Sequence, residues 1–219
     1  MKFMISTVFY VERPIESTDW VIYLLLITLA LIGIGRLLFS GNFESINNLE
    51  RFLEINDNQR VLSFLLQITL ALLLGGILVN YIRLDYDYLL HTPLLKVAMI
   101  SVVLLLFFGL RSFLGYLARY AFGISMDYNQ ALKVSNYYRI YAVGLLWVGV
   151  LLYYHSTISP LIILIILGII LLVFRGIQYV YNLKKQPESQ RSVLYYNILY
   201  LCTLEILPVL VLFKFLTMW

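Results

Sequence analysis

The residue whose type and position best suit chemistry is a carboxylate inside an apolar run. Glu205 lies near the middle of Val193–Leu216, and Pro208 follows it shortly afterwards. An ionised carboxylate at the centre of a bilayer costs about 2.5–3.5 kcal/mol on insertion scales, so Glu205 should be protonated, paired or hydrated. Pro208 removes one helix hydrogen bond and predicts a kink there, which leaves the Leu204 carbonyl without its usual donor. The two residues predict a polar position at membrane depth.

Two arginines are candidate partners of Glu205. Arg111 and Arg175 each lie past the centre of an apolar run, where a long guanidinium side chain could reach up to an acid at mid-depth. Such a pair could be a structural ion pair between two helices, or a relay for protons or ions or a contact for cargo. The arginines could instead extend to the headgroup layer. These alternatives stay open at the level of the sequence.

Further arginines predict a basic pocket on the same side of the membrane. Arg36, Arg119 and Arg139 lie near the ends of apolar runs, on the side toward which Arg111 and Arg175 are displaced. Basic pockets between membrane helices bind anionic headgroups. The predicted ligand is therefore an anionic lipid headgroup or a lipid-linked phosphate.

The elements that would position these residues are transmembrane helices. The chain is 62% hydrophobic and 13% charged, whereas an average soluble domain is about 45–50% apolar and about 25% charged. Six runs qualify as spans, since about 20 mostly apolar residues cross about 30 Å of hydrocarbon. Because lipid offers no partner to backbone groups, the expected fold is an all-α polytopic bundle, one membrane domain over residues 1–219. The runs are Trp20–Phe39, Val61–Ile82, Leu94–Ala118, Asn136–Tyr154, Ile158–Val180 and Val193–Leu216.

The distribution of basic residues predicts the orientation. Of the 16 Lys and Arg residues, eleven lie in or beside the loops after the first, third and fifth runs, and five lie on the other side. The positive-inside rule places those three loops in the cytoplasm and both termini in the periplasm.

The loop after the first run predicts an additional short helix. Its apolar residues recur at helical spacing over Phe43–Ile55, which is typical of an amphipathic helix in the headgroup layer. Asp57 or Asn58 is the expected cap of the second span.

The sequence contains no phosphate-binding glycine loop, zinc-protease helix or nucleophile elbow. The single cysteine, Cys202, excludes an internal disulfide. Asp87 and His91 have the spacing of one helix face, but an ordinary polar loop is the preferred interpretation. No metal, cofactor or nucleic-acid partner is predicted.

Several segments carry a resemblance to a known family. They are Arg13-Pro14, Asp19-Trp20, Phe174-Arg175-Gly176 and Tyr200–Pro208. The chain resembles the Bacteroidota integral membrane proteins grouped as domain of unknown function 4271, which implies a bacterial inner membrane and no established activity. The segment Phe122–Tyr138 is also similar to Yip1-like multi-span membrane proteins, which implies a membrane-organising or trafficking-adapter role.

The predicted function is therefore non-enzymatic. We expect a multi-pass inner-membrane protein that binds lipid or partner helices and supports assembly of a cell-envelope machine. The alternative is a transporter or flippase for an anionic or lipid-linked substrate, using Glu205 with Arg111 or Arg175. An intramembrane enzyme acting on lipid would need a nucleophile or metal beside Glu205, for which Thr203 is the nearest candidate.

Overall fold

A computed structural model of the chain describes residues 19–55, 57–80, 92–121, 128–156 and 159–184. The sixth apolar run, with Glu205 and Pro208, lies outside these residues, as do Asp87 and His91. Every regular element in the described ranges is an α-helix. The helices are α1 (Asp19–Leu38), α2 (Ser40–Glu44), α3 (Leu49–Glu54), α4 (Gln59–Leu78), α5 (Pro93–Ala121), α6 (Tyr128–His155) and α7 (Pro160–Lys184).

The all-α fold predicted from the apolar runs is confirmed within this part of the chain. Among the described residues, three segments are long and apolar enough to cross a membrane, namely α1, α4 and residues Pro93–Phe113 of α5. Residues Pro160–Phe174 of α7 form a shorter apolar stretch. These helices are those of a membrane protein, and the count of six spans stays a prediction.

The helix α6 begins well before the apolar run that predicted it. The run starts at Asn136, whereas the helix starts at Tyr128. The extra turns carry polar side chains, and one of them, Lys133, donates from Nζ to the Leu53 carbonyl at 2.8 Å. Helix geometry therefore continues past the apolar boundary, because this polar extension has a partner at the end of α3.

The long helices are arranged around α4, which packs against α1, α5 and α6, while α7 packs on α6. Hydrogen bonds join Gln59 to Asn136 and Asn80 to Tyr154, so α4 and α6 run parallel. We name the two ends of the bundle after residues found there. The Arg139 end holds the first turns of α4 and α6, and the Trp20 end holds the first turn of α1.

A close helix approach joins α4 to α5. The Ser101 hydroxyl reaches the Val97 carbonyl at 2.7 Å and the Ala71 carbonyl of α4 at 3.1 Å. A Cβ atom added at Gly75 would lie 2.5 Å from Ser101 Oγ and 3.1 Å from the Val97 carbonyl oxygen. A glycine is therefore required at this position for α4 and α5 to meet.

Apolar side chains fill the bundle and also cover its outer surface. Leu62, Leu73 and Val150 are fully buried between α1, α4, α6 and α7. On the outside, Leu106 of α5 is 69% exposed and Leu172 of α7 is 72% exposed. So extensive an exposed apolar surface is typical of helices that face lipid.

The single amphipathic helix predicted over Phe43–Ile55 is two short helices instead. The side chain of Asn48 accepts hydrogen bonds from the backbone N–H groups of Glu50 and Arg51, at 3.0 and 3.3 Å, and thereby starts α3 as a separate helix. Phe52 is fully buried, with its ring 5.3 Å from that of Tyr137. The apolar face of α3 therefore packs on α6.

One of the two residues predicted to cap the second span lies at the start of α4. Asn58 occupies the N-cap position of α4, but its side chain makes no capping hydrogen bond there. The first turn of α4 is instead joined to α6 through Gln59, which accepts hydrogen bonds from Asn136.

Candidate functional site

The most polar site inside the described bundle lies at the Arg139 end, between α4 and α6. Asn136 is fully buried, and its Nδ2 donates to the Gln59 backbone carbonyl at 2.8 Å and to Gln59 Oε1 at 3.2 Å. Arg139 donates from Nη1 to Ser63 Oγ and, at 3.4 Å, to Asn136 Oδ1. We call Gln59, Ser63, Asn136 and Arg139 the polar cluster.

The polar cluster holds two parallel helices in register. Gln59 and Ser63 are one turn apart on α4, and Asn136 and Arg139 are one turn apart on α6, so each pair faces the other helix. Hydrogen bonds between membrane helices satisfy groups that lipid cannot. Arg139, which was predicted to line a basic pocket, therefore bonds to side chains of the helix–helix contact.

The other predicted arginines occupy different parts of the described structure. Arg36 is exposed in the last turn of α1. Arg111 is half-buried in α5, and Arg119 and Arg175 lie in the helical backbone of α5 and α7. Helix α5 packs on α4, and α7 packs on α6. Arg111 and Arg175 therefore lie on helices that contact different members of the α4–α6 pair. The pocket with Glu205 stays a prediction.

A second candidate site is an apolar cavity of about 830 Å³ between α1, α6 and α7, which we call the groove. Ile32 of α1, Val148 of α6 and Ile166 of α7 contribute to its walls. At the Arg139 end it is bounded by Phe43, Ile46, Tyr141 and Phe174.

The groove offers little hydrogen-bonding capacity to a ligand. The hydroxyl of Tyr141, which belongs to the wall, already donates to the Ile46 carbonyl at 2.7 Å. The other described residues of the lining are aliphatic residues, glycine and phenylalanine. A ligand in the groove would therefore be held by apolar contact.

The groove opens on the outer surface of the bundle. Three of its lining side chains, Val148, Ile162 and Ile166, are 50%, 49% and 52% exposed. Its lining on α6 extends from Ile140 to Leu152, which at helical rise is a length of about 18 Å. A long, narrow ligand could enter from the side.

Some buried polar atoms at the Arg139 end have no hydrogen-bond partner among the described residues. They are both amide atoms of Asn42, which precedes the groove-lining Phe43, and Nε2 of Gln59. The described residues also include no group of three His, Cys, Asp or Glu side chains placed to hold a metal ion.

Comparison with known proteins gives a family. The family described as Domain of unknown function (DUF4271) matches residues 21–216 of the chain. The chain belongs to this family. Membership confirms the predicted resemblance to DUF4271. No curated protein and no solved structure matches this DUF4271 chain.

The sequence did not reveal three of the four residues of the polar cluster in this DUF4271 chain. Gln59 and Asn136 stand just before or at the start of apolar runs, and Ser63 is a small residue inside one. Their i, i+4 and i, i+3 spacing on two runs is a weak signal that polar groups share a face. The sequence cannot show that the two faces meet.

The DUF4271 chain has a second hydrogen-bonded contact at the Trp20 end. The Tyr154 hydroxyl donates to the Gly76 carbonyl at 2.6 Å and accepts from Asn80 Nδ2 at 3.1 Å, while its ring packs edge-on against Trp20 at 5.3 Å. The tyrosine therefore joins α6 to α4 and to α1.

Replacing Tyr154 by phenylalanine should lower the free energy of unfolding by about 1 kcal/mol, because the ring contact remains and the hydrogen bonds are lost. Thermal unfolding of the detergent-solubilised chain measures the change. Tyr23→Phe, at a position 61% exposed on α1, is the control and should leave the melting temperature unchanged. Equal melting temperatures for the two variants would contradict the assignment.

Proposed function

We propose that the protein is a non-enzymatic multi-pass membrane protein that binds lipid between its helices. Through this lipid and through contacts with partner helices, it would support assembly of a cell-envelope machine. The observation that carries the proposal is the groove, a cavity of about 830 Å³ with an apolar wall that opens at an apolar outer surface. Its size is within the range of about 300–1,000 Å³ that small-molecule sites occupy.

The chemistry of the wall favours lipid over a polar substrate. A polar or charged solute that entered the groove would lose its hydration and find few partners, which costs free energy. An acyl chain has no hydration to lose and gains contact with Val148 and Ile166. Catalysis would also require convergent polar groups, whereas among the described wall residues the one hydroxyl, on Tyr141, is bonded to Ile46.

Native mass spectrometry of the chain, extracted in a mild detergent, tests lipid binding. The expected spectrum contains protein with one or more retained phospholipid molecules, which persist at collision energies that remove detergent. A spectrum of bare monomer, with neither lipid nor a partner protein retained, would overturn the proposed function.

The proposed location is the inner membrane of a bacterium, in the Bacteroidota, with both termini in the periplasm. The Lys and Arg distribution and the alternating direction of the long helices support it. A reporter that is active only in the periplasm should be active when fused after His155 and inactive when fused after Gln186. Activity after Gln186 would reverse the orientation. The Yip1-like resemblance supports the same membrane-organising role.

A transporter or flippase remains the alternative that rests on Glu205. It requires a water-accessible path to Glu205 and a partner such as Arg111 or Arg175. Loss of transport activity or a growth defect in Glu205→Gln would favour the transporter over lipid binding. Unchanged transport and growth would remove its basis.

A further inference from the structure

An exposed arginine, Arg36, lies near one end of the groove. Arg36 is four residues after Ile32 on α1, so both lie on the same face of that helix. Ile32 lines the groove, and Arg36 is exposed one turn further toward the Arg139 end. A positive charge therefore stands just beyond the apolar wall, at one end of the groove.

Aromatic residues mark the same end. The rings of Tyr141 and Phe174 lie 6.3 Å apart and both belong to the groove wall. The ring of Tyr138 lies 6.4 Å from that of Phe174. Aromatic side chains concentrate where hydrocarbon meets the headgroup layer. The Arg139 end of the groove thus has the composition of an interface, with Arg36 on its polar side.

The length of the groove fits one leaflet. From this aromatic end the lining of α6 continues to Leu152, which is about 18 Å at helical rise. The whole hydrocarbon core is about 30 Å thick, so one leaflet is about 15 Å. A ligand anchored at the aromatic end could extend one acyl chain along the groove.

We infer that the groove binds one acyl chain of an anionic phospholipid, with the headgroup phosphate at Arg36. The inference rests on the proposed function and specifies its site and ligand. Charge selects the lipid class, because an exposed arginine beside an apolar groove attracts a net negative headgroup more than a zwitterionic one. Arg139 is not the headgroup ligand, since its guanidinium bonds to Ser63 and Asn136.

Photo-crosslinking in nanodiscs tests the site. The probe is phosphatidylglycerol with a diazirine in its acyl chain, and the readout is peptide mapping of the labelled full-length chain. In the unmodified protein, label should fall on groove-lining residues of α6 and α7. Phosphatidylcholine with the same diazirine should label them about fivefold less, as expected when a single arginine favours the anionic lipid.

Two pairs of variants separate the groove from the rest of the surface. Gly144 lines the groove and Gly109 lies on α5, and a Cβ at either position meets nothing within 4 Å. Gly144→Leu should place a side chain in the path of the acyl chain and reduce labelling at least tenfold, whereas Gly109→Leu should not. Arg36→Gln should remove the preference for phosphatidylglycerol, and Arg51→Gln, at an exposed position of α3, should keep it.

Other results would remove the groove assignment or give the groove a different occupant. Equal labelling of Gly144→Leu and Gly109→Leu, with phospholipid still retained in native mass spectra, would overturn the groove assignment and leave the proposed function standing. A spectrum of bare monomer, with neither lipid nor a partner protein retained, would remove both. If oxidation of Val148→Cys forms a disulfide with Cys202 of the same chain, the C-terminal segment occupies the groove instead. A disulfide between two Val148→Cys chains would assign it to a second copy.

Discussion

Replacing Gly75 by valine is expected to lower the free energy of unfolding by about 3 kcal/mol, the upper part of the range for overpacked interiors. The added Cβ would lie 2.5 Å from Ser101 Oγ and 3.1 Å from the Val97 carbonyl oxygen. The carbonyl belongs to the backbone of α5 and cannot rotate away, so α5 itself must move. That movement also breaks the hydrogen bond from Ser101 to Ala71.

A matched variant separates this packing effect from helix propensity. Gly109→Val makes the same substitution inside α5, where a Cβ meets nothing within 4 Å. Thermal unfolding in detergent, followed by size-exclusion chromatography, should show a large loss of stability for Gly75→Val and little for Gly109→Val. Similar melting temperatures for the two would show that α4 and α5 do not meet at Gly75.

Replacing Asn136 by leucine is expected to destabilise the chain by about 1–3 kcal/mol, the cost of leaving buried polar groups unsatisfied. The change keeps a side chain of comparable size, but Gln59 Oε1 loses its hydrogen-bond donor. Arg139 also loses the acceptor at Asn136 Oδ1. Chemical or thermal unfolding in detergent gives the difference.

A double-mutant cycle with Gln59→Leu checks that this loss belongs to the pair. Once Asn136 is leucine, replacing Gln59 removes a group that has already lost its partner, so the double variant should cost less than the sum of the singles. Strict additivity would mean that the side chains of Gln59 and Asn136 do not interact, since Gln59→Leu keeps the backbone carbonyl that Asn136 also bonds. The cycle therefore tests the parallel register of α4 and α6 independently of any ligand.

The helices were predictable from the sequence, because apolar length alone decides which segments lipid can solvate. The first five predicted runs each coincide with a long helix, although α6 is longer than its run because Lys133 finds a partner at Leu53. The break between α2 and α3 was not predicted. Apolar spacing across Phe43–Ile55 continues through Asn48, and only the capping geometry shows that the helix restarts there.

The sites were harder to predict than the helices, because they depend on which faces meet. Gly75 and Gly76 are adjacent in sequence and look equivalent, yet Gly75 borders Ser101 of α5 and Gly76 borders Leu24 of α1. The polar cluster was likewise hidden in two distant runs. The groove depends on the placement of three helices, which no local pattern contains. Glu205, the most conspicuous residue in the sequence, lies outside the described residues.

In a membrane-spanning bundle, lipid and not water surrounds the apolar outer surface of the helices. Cysteine labelling in open membrane fragments tests it most directly, in a Cys202→Ser background with a charged maleimide. Leu26→Cys and Leu106→Cys, at positions 56% and 69% exposed on the bundle, should react only after denaturation in SDS. Glu50→Cys, at an exposed position in α3, should react at once. If the two leucine positions are labelled as fast as Glu50→Cys before SDS is added, water reaches that surface and these helices do not face lipid.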